Sequence, residues 1–297
     1  MIYTTDVRVA DNGVKILQGD ALCALKTLTS CSAHCCVTSP PYFGLRDYGV
    51  PGQLGLERSP AEYIQSMVSV FMEVYRVLRN DGTLWLNIGD SYAGSGKRYK
   101  EAGLKEKDLI GIPWRVAFAL QKAGWYLRQD IIWSKPNPMP ESVQDRCTKA
   151  HEYIFLLAKA PSYYWDATVM REPAVFPKML YKSNRVSAAK KAAFFGNPPS
   201  NIGRCGTAVD GLRKKRSVWT VASRAYRGAH FATFPTALIE PCILAGCPKK
   251  GVVLDPFAGS GTTGLVAIKN NRDAVLCELN EEYVRLSETR IKESAHA

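Results

Sequence analysis

The sequence is poor in the residues that carry the commonest hydrolytic and metal chemistry. Histidine occurs only at 34, 151, 230 and 296, and none of these stands with a serine and a carboxylate in a recognisable triad. His151-Glu152 precedes an apolar strand and reads as structural. Cys31, Cys35 and Cys36 cluster, but no second ligand pair complements them at zinc-site spacing, so no metal is expected. The nine cysteines, at 23, 31, 35, 36, 147, 205, 242, 247 and 277, fall mostly in apolar stretches and read as reduced thiols of a cytoplasmic protein. No apolar run reaches the ~18 residues of a membrane helix. The first residues lack a basic segment followed by an apolar one, so neither a membrane span nor a signal peptide is expected. Internal repeats and heptads are absent too.

What is present is an ordinary globular balance, 46% hydrophobic and 22% charged over 297 residues, enough for one large α/β domain carrying an insertion. Acid is scarce in one place. From Pro173 to Arg224 there are eleven lysines and arginines against the single acid Asp210, a net +10 that accounts for most of the +12 of the whole chain. A basic run is often only a solvated face. Confinement to one segment suits a surface that meets phosphates, with Arg213, Lys214, Lys215 and Arg216 as its densest part.

Elsewhere strands alternate with helices. Val14–Leu17, Cys35–Thr38, Thr83–Ile88, Leu127–Trp133, Tyr153–Leu157, Val252–Leu254 and Ala274–Leu279 read as strands. Helices are expected from Ala21 to Leu28, from a Ser59-Pro60-Ala61-Glu62 capping box onward, and at Pro113–Ala123, Pro235–Ala245, Thr262–Asn270 and Glu281–Ser294. Asn80-Asp81-Gly82 reads as the turn that ends the Ser59 helix, and Gly89 to Asp108 as a mobile loop. The pattern implies a doubly wound, mostly parallel sheet. Residues 1–164 and 217–297 would form its two halves, with 165–216 inserted between them.

Two stretches carry chemistry. Asp255-Pro256-Phe257-Ala258-Gly259-Ser260-Gly261-Thr262 follows an apolar strand and opens a helix, where glycines admit a ligand and the helix start offers free N–H groups. Glu278 ends the next strand and can accept from ribose hydroxyls. Gly259, Gly261 and Gly264 also fit a dinucleotide fingerprint, but too little chain follows for the remaining strands of such a fold. The second stretch is Thr38-Ser39-Pro40-Pro41-Tyr42. Paired prolines stiffen the exit from a strand and remove competing donors, so carbonyl and hydroxyl acceptors can face an amino group. A tyrosine beside them can stack on an extruded base, a role a phenylalanine would fill nearly as well. Cys242 follows Pro241 as a cytosine-C5 nucleophile would, yet it lies in the apolar helical pattern Leu238, Ile239, Cys242, Ile243 and reads as core.

Taken together, the two stretches resemble the catalytic and cofactor motifs of amino-group DNA methyltransferases, and their order, with a basic segment between, is similar to the β-group of those permuted enzymes. The resemblance covers about 14–290 except the insertion. It implies an S-adenosylmethionine-dependent methyltransferase fold. It also implies cofactor contacts at Asp255, Phe257, Gly259, Gly261 and Glu278, and weaker ones at Asp20, Phe231 and Pro235. Catalysis falls to Ser39, Pro40, Pro41 and Tyr42. Relatives with serine in the first motif position most often modify cytosine N4 and those with aspartate adenine N6, so the resemblance implies N4-cytosine first and N6-adenine as the alternative. Double-stranded DNA is the implied substrate and a cognate restriction endonuclease a candidate partner. RNA or protein methylation, and a non-catalytic DNA-binding module on the same fold, are the readings from other classes.

Overall fold

The computed structural model describes residues 6–10, 13–174, 211–223 and 234–295. It divides into two compact units, one comprising 1–169 with 217–297 and the other 170–216.

The larger unit is built on a nine-stranded sheet. Its strands are β1 (Asp6–Ala10), β2 (Val14–Gln18), β3 (Ala33–Thr38), β4 (Leu78–Ile88), β5 (Tyr126–Ser134), β6 (His151–Ala158), β9 (Val218–Thr220), β10 (Val252–Asp255) and β11 (Asp273–Glu278). They lie in the order β1-β2-β11-β10-β3-β4-β6-β5-β9. From β2 to β4 every pairing is parallel, while β1 and β6 run against their neighbours. The helices are α1 (Ala21–Lys26), α2 (Pro60–Val77), α3 (Lys97–Glu101), α4 (Ile112–Lys122), α5 (Thr236–Gly246), α6 (Thr262–Lys269) and α7 (Glu281–Ala295).

Strand alternation assigns the helices to opposite faces. Leu84, Leu86 and Ile88 of β4 join one buried cluster with Tyr63, Phe71 and Val74 of α2 and Val116 and Leu120 of α4. The intervening Thr83 and Trp85 meet Gly246 of α5 instead, so closely that a Cβ there would lie 2.6 Å from the Thr83 hydroxyl. A parallel sheet covered on both faces needs strands apolar on both sides, and β3 and β4 are.

Two sequence expectations change. Asn80-Asp81-Gly82 is not the turn that ends α2. Buried Leu78 caps the helix in extended conformation and pairs with Ala33, and the next pairing is Cys35 with Thr83, so the polar triplet is accommodated as an irregularity inside β4. The stretch from Gly89 to Asp108 is not a structureless loop. It holds α3, an isolated bridge between Tyr92 and Leu109, and reciprocal bonds joining Ala93 to Lys107 and Asp108. Asp90 then caps α4 by accepting from Gly111 and Ile112 N–H at 3.0 and 2.9 Å.

The smaller unit contains β7 (Arg171–Pro173) paired antiparallel with β8 (Leu212–Lys214). Glu172 accepts from Arg213 and Arg216 at 2.9 and 2.7 Å. The acid that meets the densest basic run therefore lies one residue upstream of the acid-poor stretch. Residues 175–210, with most of the lysines and arginines counted there, lie outside the described residues.

Candidate active site

The chain leaves the sheet in opposite directions from β3 and β10, which are neighbours, and a crevice opens there beyond the carboxyl ends of the strands. Thr38, Asn87, Asp255 and Glu278 all stand at or near those ends. Because β6 is antiparallel, with Tyr153 opposite Ile88, its first residues His151 and Glu152 reach the same edge. The cleft formed there is about 1330 Å³ and is lined from one end by Asp20, Phe257, Gly259 and Glu278 and from the other by Ser39–Tyr42, Asn87 and Glu152.

At the first end the turn after β10 is fixed by backbone bonds. Gly259 N–H donates to Glu278 Oε2 at 2.7 Å and Asn280 N–H to Oε1 at 2.8 Å. Helix α7 braces the turn from behind, with Ser287 Oγ donating to the Gly259 carbonyl at 2.8 Å and Arg290 to Ser260 Oγ at 2.6 Å. Gly259 takes φ +52° and a Cβ on it would meet nothing within 4 Å, so its open side faces the cleft. Burial pushes the Glu278 carboxyl up to about 7. An open glycine cradle beside a carboxylate suits a nucleoside whose hydroxyls can donate to it. Asp20 lines the same end while capping α1 through Cys23 N–H at 2.9 Å.

Three expected ligand contacts are placed elsewhere. Asp255 is 1% exposed and lies beneath the turn rather than in the cleft. Its carboxylate accepts from Thr38 Oγ1 and Thr263 Oγ1 at 2.6 Å each, and from Phe257 N–H at 3.0 Å. Burial raises it to about 6. Its role in the fold is to staple the end of β3 to the glycine turn. Gly261, at φ +75°, is backed by Ser287, and a Cβ there would lie 2.9 Å from that side chain, so bulk at Gly261 strikes α7 and not a ligand. Pro235 is buried where it precedes α5, and its neighbour Phe234 lines the cleft in its place. Phe231 lies outside the described residues.

At the other end the loop after β3 is held by side chains from far along the chain. Buried Tyr63 of α2 donates to the Pro41 carbonyl at 2.8 Å. Ser39 Oγ donates to Tyr42 Oη at 3.3 Å, and Tyr42 Oη donates to Glu152 Oε2 at 2.6 Å. Asn87 Nδ2 donates to the same Oε2 and to the Tyr153 carbonyl, both at 3.1 Å, and Lys135 pairs with Glu152 Oε1. Gly89 admits the Tyr42 ring, since a Cβ there would sit 2.6 Å from Cε2. Burial beside the Glu152 charge holds the Tyr42 phenol well above its usual range, so it remains a donor. A dispensable hydroxyl does not fit this arrangement.

Asn87, Lys135 and Glu152 were not among the sequence candidates. The signal was there for two of them: Asn87 is the lone polar residue in Leu84-Trp85-Leu86-Asn87-Ile88, and Glu152 is a charge at the start of a buried strand. Cys242 is buried in α5 with its thiol against the Leu238 carbonyl, outside the cleft lining. Among the described residues no cluster could hold a metal ion, and no helix is long and apolar enough to cross a membrane.

Residues 33–289, which take in both ends of the cleft, match the DNA methylase family N6_N4_Mtase. The chain belongs to that family. M.SmaI, a Type II methyltransferase of Serratia marcescens, is 47% identical over 294 residues, spanning 93% of this chain and 90% of its own. Among solved structures, the cytosine-N4-specific PvuII DNA methyltransferase superposes with a TM-score of 0.67 at 20% identity, covering 99% of this chain and 95% of its own. A Thermus thermophilus protein solved in complex with S-adenosyl-L-methionine superposes at 0.60 with 23% identity, covering 93% and 92%. These likenesses show that the DNA methylase has the methyltransferase fold expected from its sequence.

Proposed function

We propose that this DNA methylase transfers a methyl group from S-adenosylmethionine to N4 of a cytosine flipped out of double-stranded DNA. The observation that carries the reading is the single cleft holding the Ser39 loop at one end and the Gly259–Glu278 cradle at the other, joined beneath by Thr38–Asp255–Thr263. Bound at the cradle, S-adenosylmethionine supplies an electrophilic methyl on a sulfonium. Glu278 and the Gly259 turn hold the nucleoside end, with Asp20 and Phe257 beside them.

The residues of the Ser39 end hold the amino group. Its nitrogen lone pair is delocalised into the base. Accepting its protons at Ser39 Oγ and the Pro40 carbonyl localises that pair and raises its nucleophilicity. Rate then comes from orientation and electrostatics, with no covalent intermediate and no strong base. Tyr42 presents its ring to the extruded base. Serine at position 39 supports cytosine over adenine. Arg213–Arg216 would contact phosphates and position the duplex without reading its sequence, and the likeness to Type II methyltransferases supports a partner endonuclease cutting the same site.

The test is to methylate unmodified plasmid DNA, digest it to nucleosides and identify the product by mass. N4-methylcytosine is expected. N6-methyladenine would replace the base assignment, and no methylated nucleoside would overturn the reading.

A further inference from the structure

Glu152 lies at the end of a chain of hydrogen bonds that begins on Ser39, and a carboxylate can only accept. Every group around it donates. Lys135 pairs with Oε1, and Asn87 Nδ2 and Tyr42 Oη both donate to Oε2. Tyr42 has a single proton. Two acceptors lie within reach, Glu152 Oε2 at 2.6 Å and Asn87 Oδ1 at 3.3 Å, and the shorter, charge-assisted bond takes it. Asn87 is fixed as an acceptor on that side because its amide nitrogen is already committed to Glu152 and the Tyr153 carbonyl. The Tyr42 oxygen therefore has only lone pairs left for Ser39. Within that pair Ser39 can only donate, its proton toward Tyr42 at 3.3 Å, and the serine's own lone pairs are then left for the cleft.

We propose that Glu152 is a positioning residue that sets the polarity of this chain, making Ser39 an obligate acceptor for the amino protons of the target base. An unconstrained serine hydroxyl rotates freely and can present its proton to an amine, which would repel the amine's own hydrogens. Committing that proton removes the unproductive orientation before the base arrives, a preorganisation that costs nothing at the moment of reaction. Lys135 pairs with the carboxylate, and Gly89 leaves room for the tyrosine ring. The proposal rests on the reading of Ser39 as the amino-group acceptor.

The experiment is single-turnover methylation of unmodified plasmid DNA with enzyme and S-adenosylmethionine in excess, alongside calorimetric cofactor affinity. Glu152→Gln keeps the shape but introduces an amide that can donate as well as accept. Tyr42→Phe removes the relay oxygen and nothing else, and serves alone if Glu152→Gln fails to fold. Each is expected to slow methyl transfer at least tenfold with cofactor affinity within twofold of the parent. The double variant is expected to be no slower than the worse single one, because both cut one chain. A purely structural role for Glu152 would persist without the tyrosine hydroxyl and slow the double variant further, which would overturn the proposal, as would a parental rate in either single variant. Ser39→Ala separates the two levels. A parental rate there sinks the reading of Ser39, whereas a slow Ser39→Ala beside parental Glu152→Gln and Tyr42→Phe sinks the polarity proposal alone.

Discussion

At the Glu278 end of the cleft the polar contacts are made largely by backbone within a short length of chain, Gly259 to Glu278 being 19 positions apart. At the Ser39 end they run between side chains, and Tyr42 and Glu152 are 110 positions apart. The first end is specified by local conformation: a strand, a left-handed glycine, a helix start and an acid. The second exists only once β3, β4 and β6 have docked in register. Asp255 belongs to both, accepting from Thr38 on one side and Thr263 on the other.

The sharpest test of the local end compares its two left-handed glycines. Gly261→Val should lower the unfolding free energy by roughly 2–5 kcal/mol, the sum of left-handed strain and overpacking against Ser287. Gly259→Ala has open space and should cost only about 1–2 kcal/mol of strain, yet weaken S-adenosylmethionine binding by placing a methyl on the ligand side. Denaturant unfolding and calorimetry on both variants check this. A fully stable Gly261→Val protein that has lost cofactor binding would reverse the roles assigned to the two positions.

The local end should also respond to pH. Burial holds Asp255 at about 6 and Glu278 at about 7, above their ordinary values. Both carboxyls therefore bind protons more tightly folded than unfolded. Folding takes protons up between about pH 5 and 7, so the unfolding free energy of the ligand-free protein should rise as pH falls through that window, by up to about 1.4 kcal/mol per unit for each group. Glu278→Gln should flatten the slope. A stability curve that falls from pH 7 to 5 would contradict the burial of both groups.

These differences decide what was legible in the sequence. Thr38–Tyr42 and Asp255–Gly261 were readable because prolines restrict the backbone and glycines permit left-handed turns wherever they occur, and the alternating strands and helices announced the sheet. Asn80-Asp81-Gly82 misled because a turn-forming triplet was overruled by the burial of Leu78 and its pairing with Ala33. Gly261 and Asp255 were assigned to the ligand because sequence shows which residues share a turn, and not which side of it faces a helix. Lys135 was missed, and the charge of Glu152 at the start of a buried strand was read as structural, because their place in the site depends on register, Tyr153 lying opposite Ile88.

The smallest effect is expected in the smaller unit. Neutralising Arg213, Lys214, Lys215 and Arg216 together should weaken binding about equally on DNA that carries the recognition site and DNA that lacks it. It should flatten the salt dependence by roughly one unit for each phosphate left without its cation. Since Arg213 and Arg216 share Glu172, the change should fall short of one unit per residue replaced. Titrations at several salt concentrations check this, and an unchanged slope would remove these residues from the DNA interface.

The division of labour within the cleft is tested most directly by Pro41→Ala, measured for S-adenosylmethionine affinity by calorimetry and for single-turnover methylation at saturating cofactor. The substitution frees the backbone that presents Ser39 and the Pro40 carbonyl while leaving the Glu278 end untouched. The account predicts cofactor affinity within about twofold of the parent and methyl transfer slower by about tenfold or more, the worth of one hydrogen bond missing from the transition state. Cofactor affinity falling in step with the rate would contradict it.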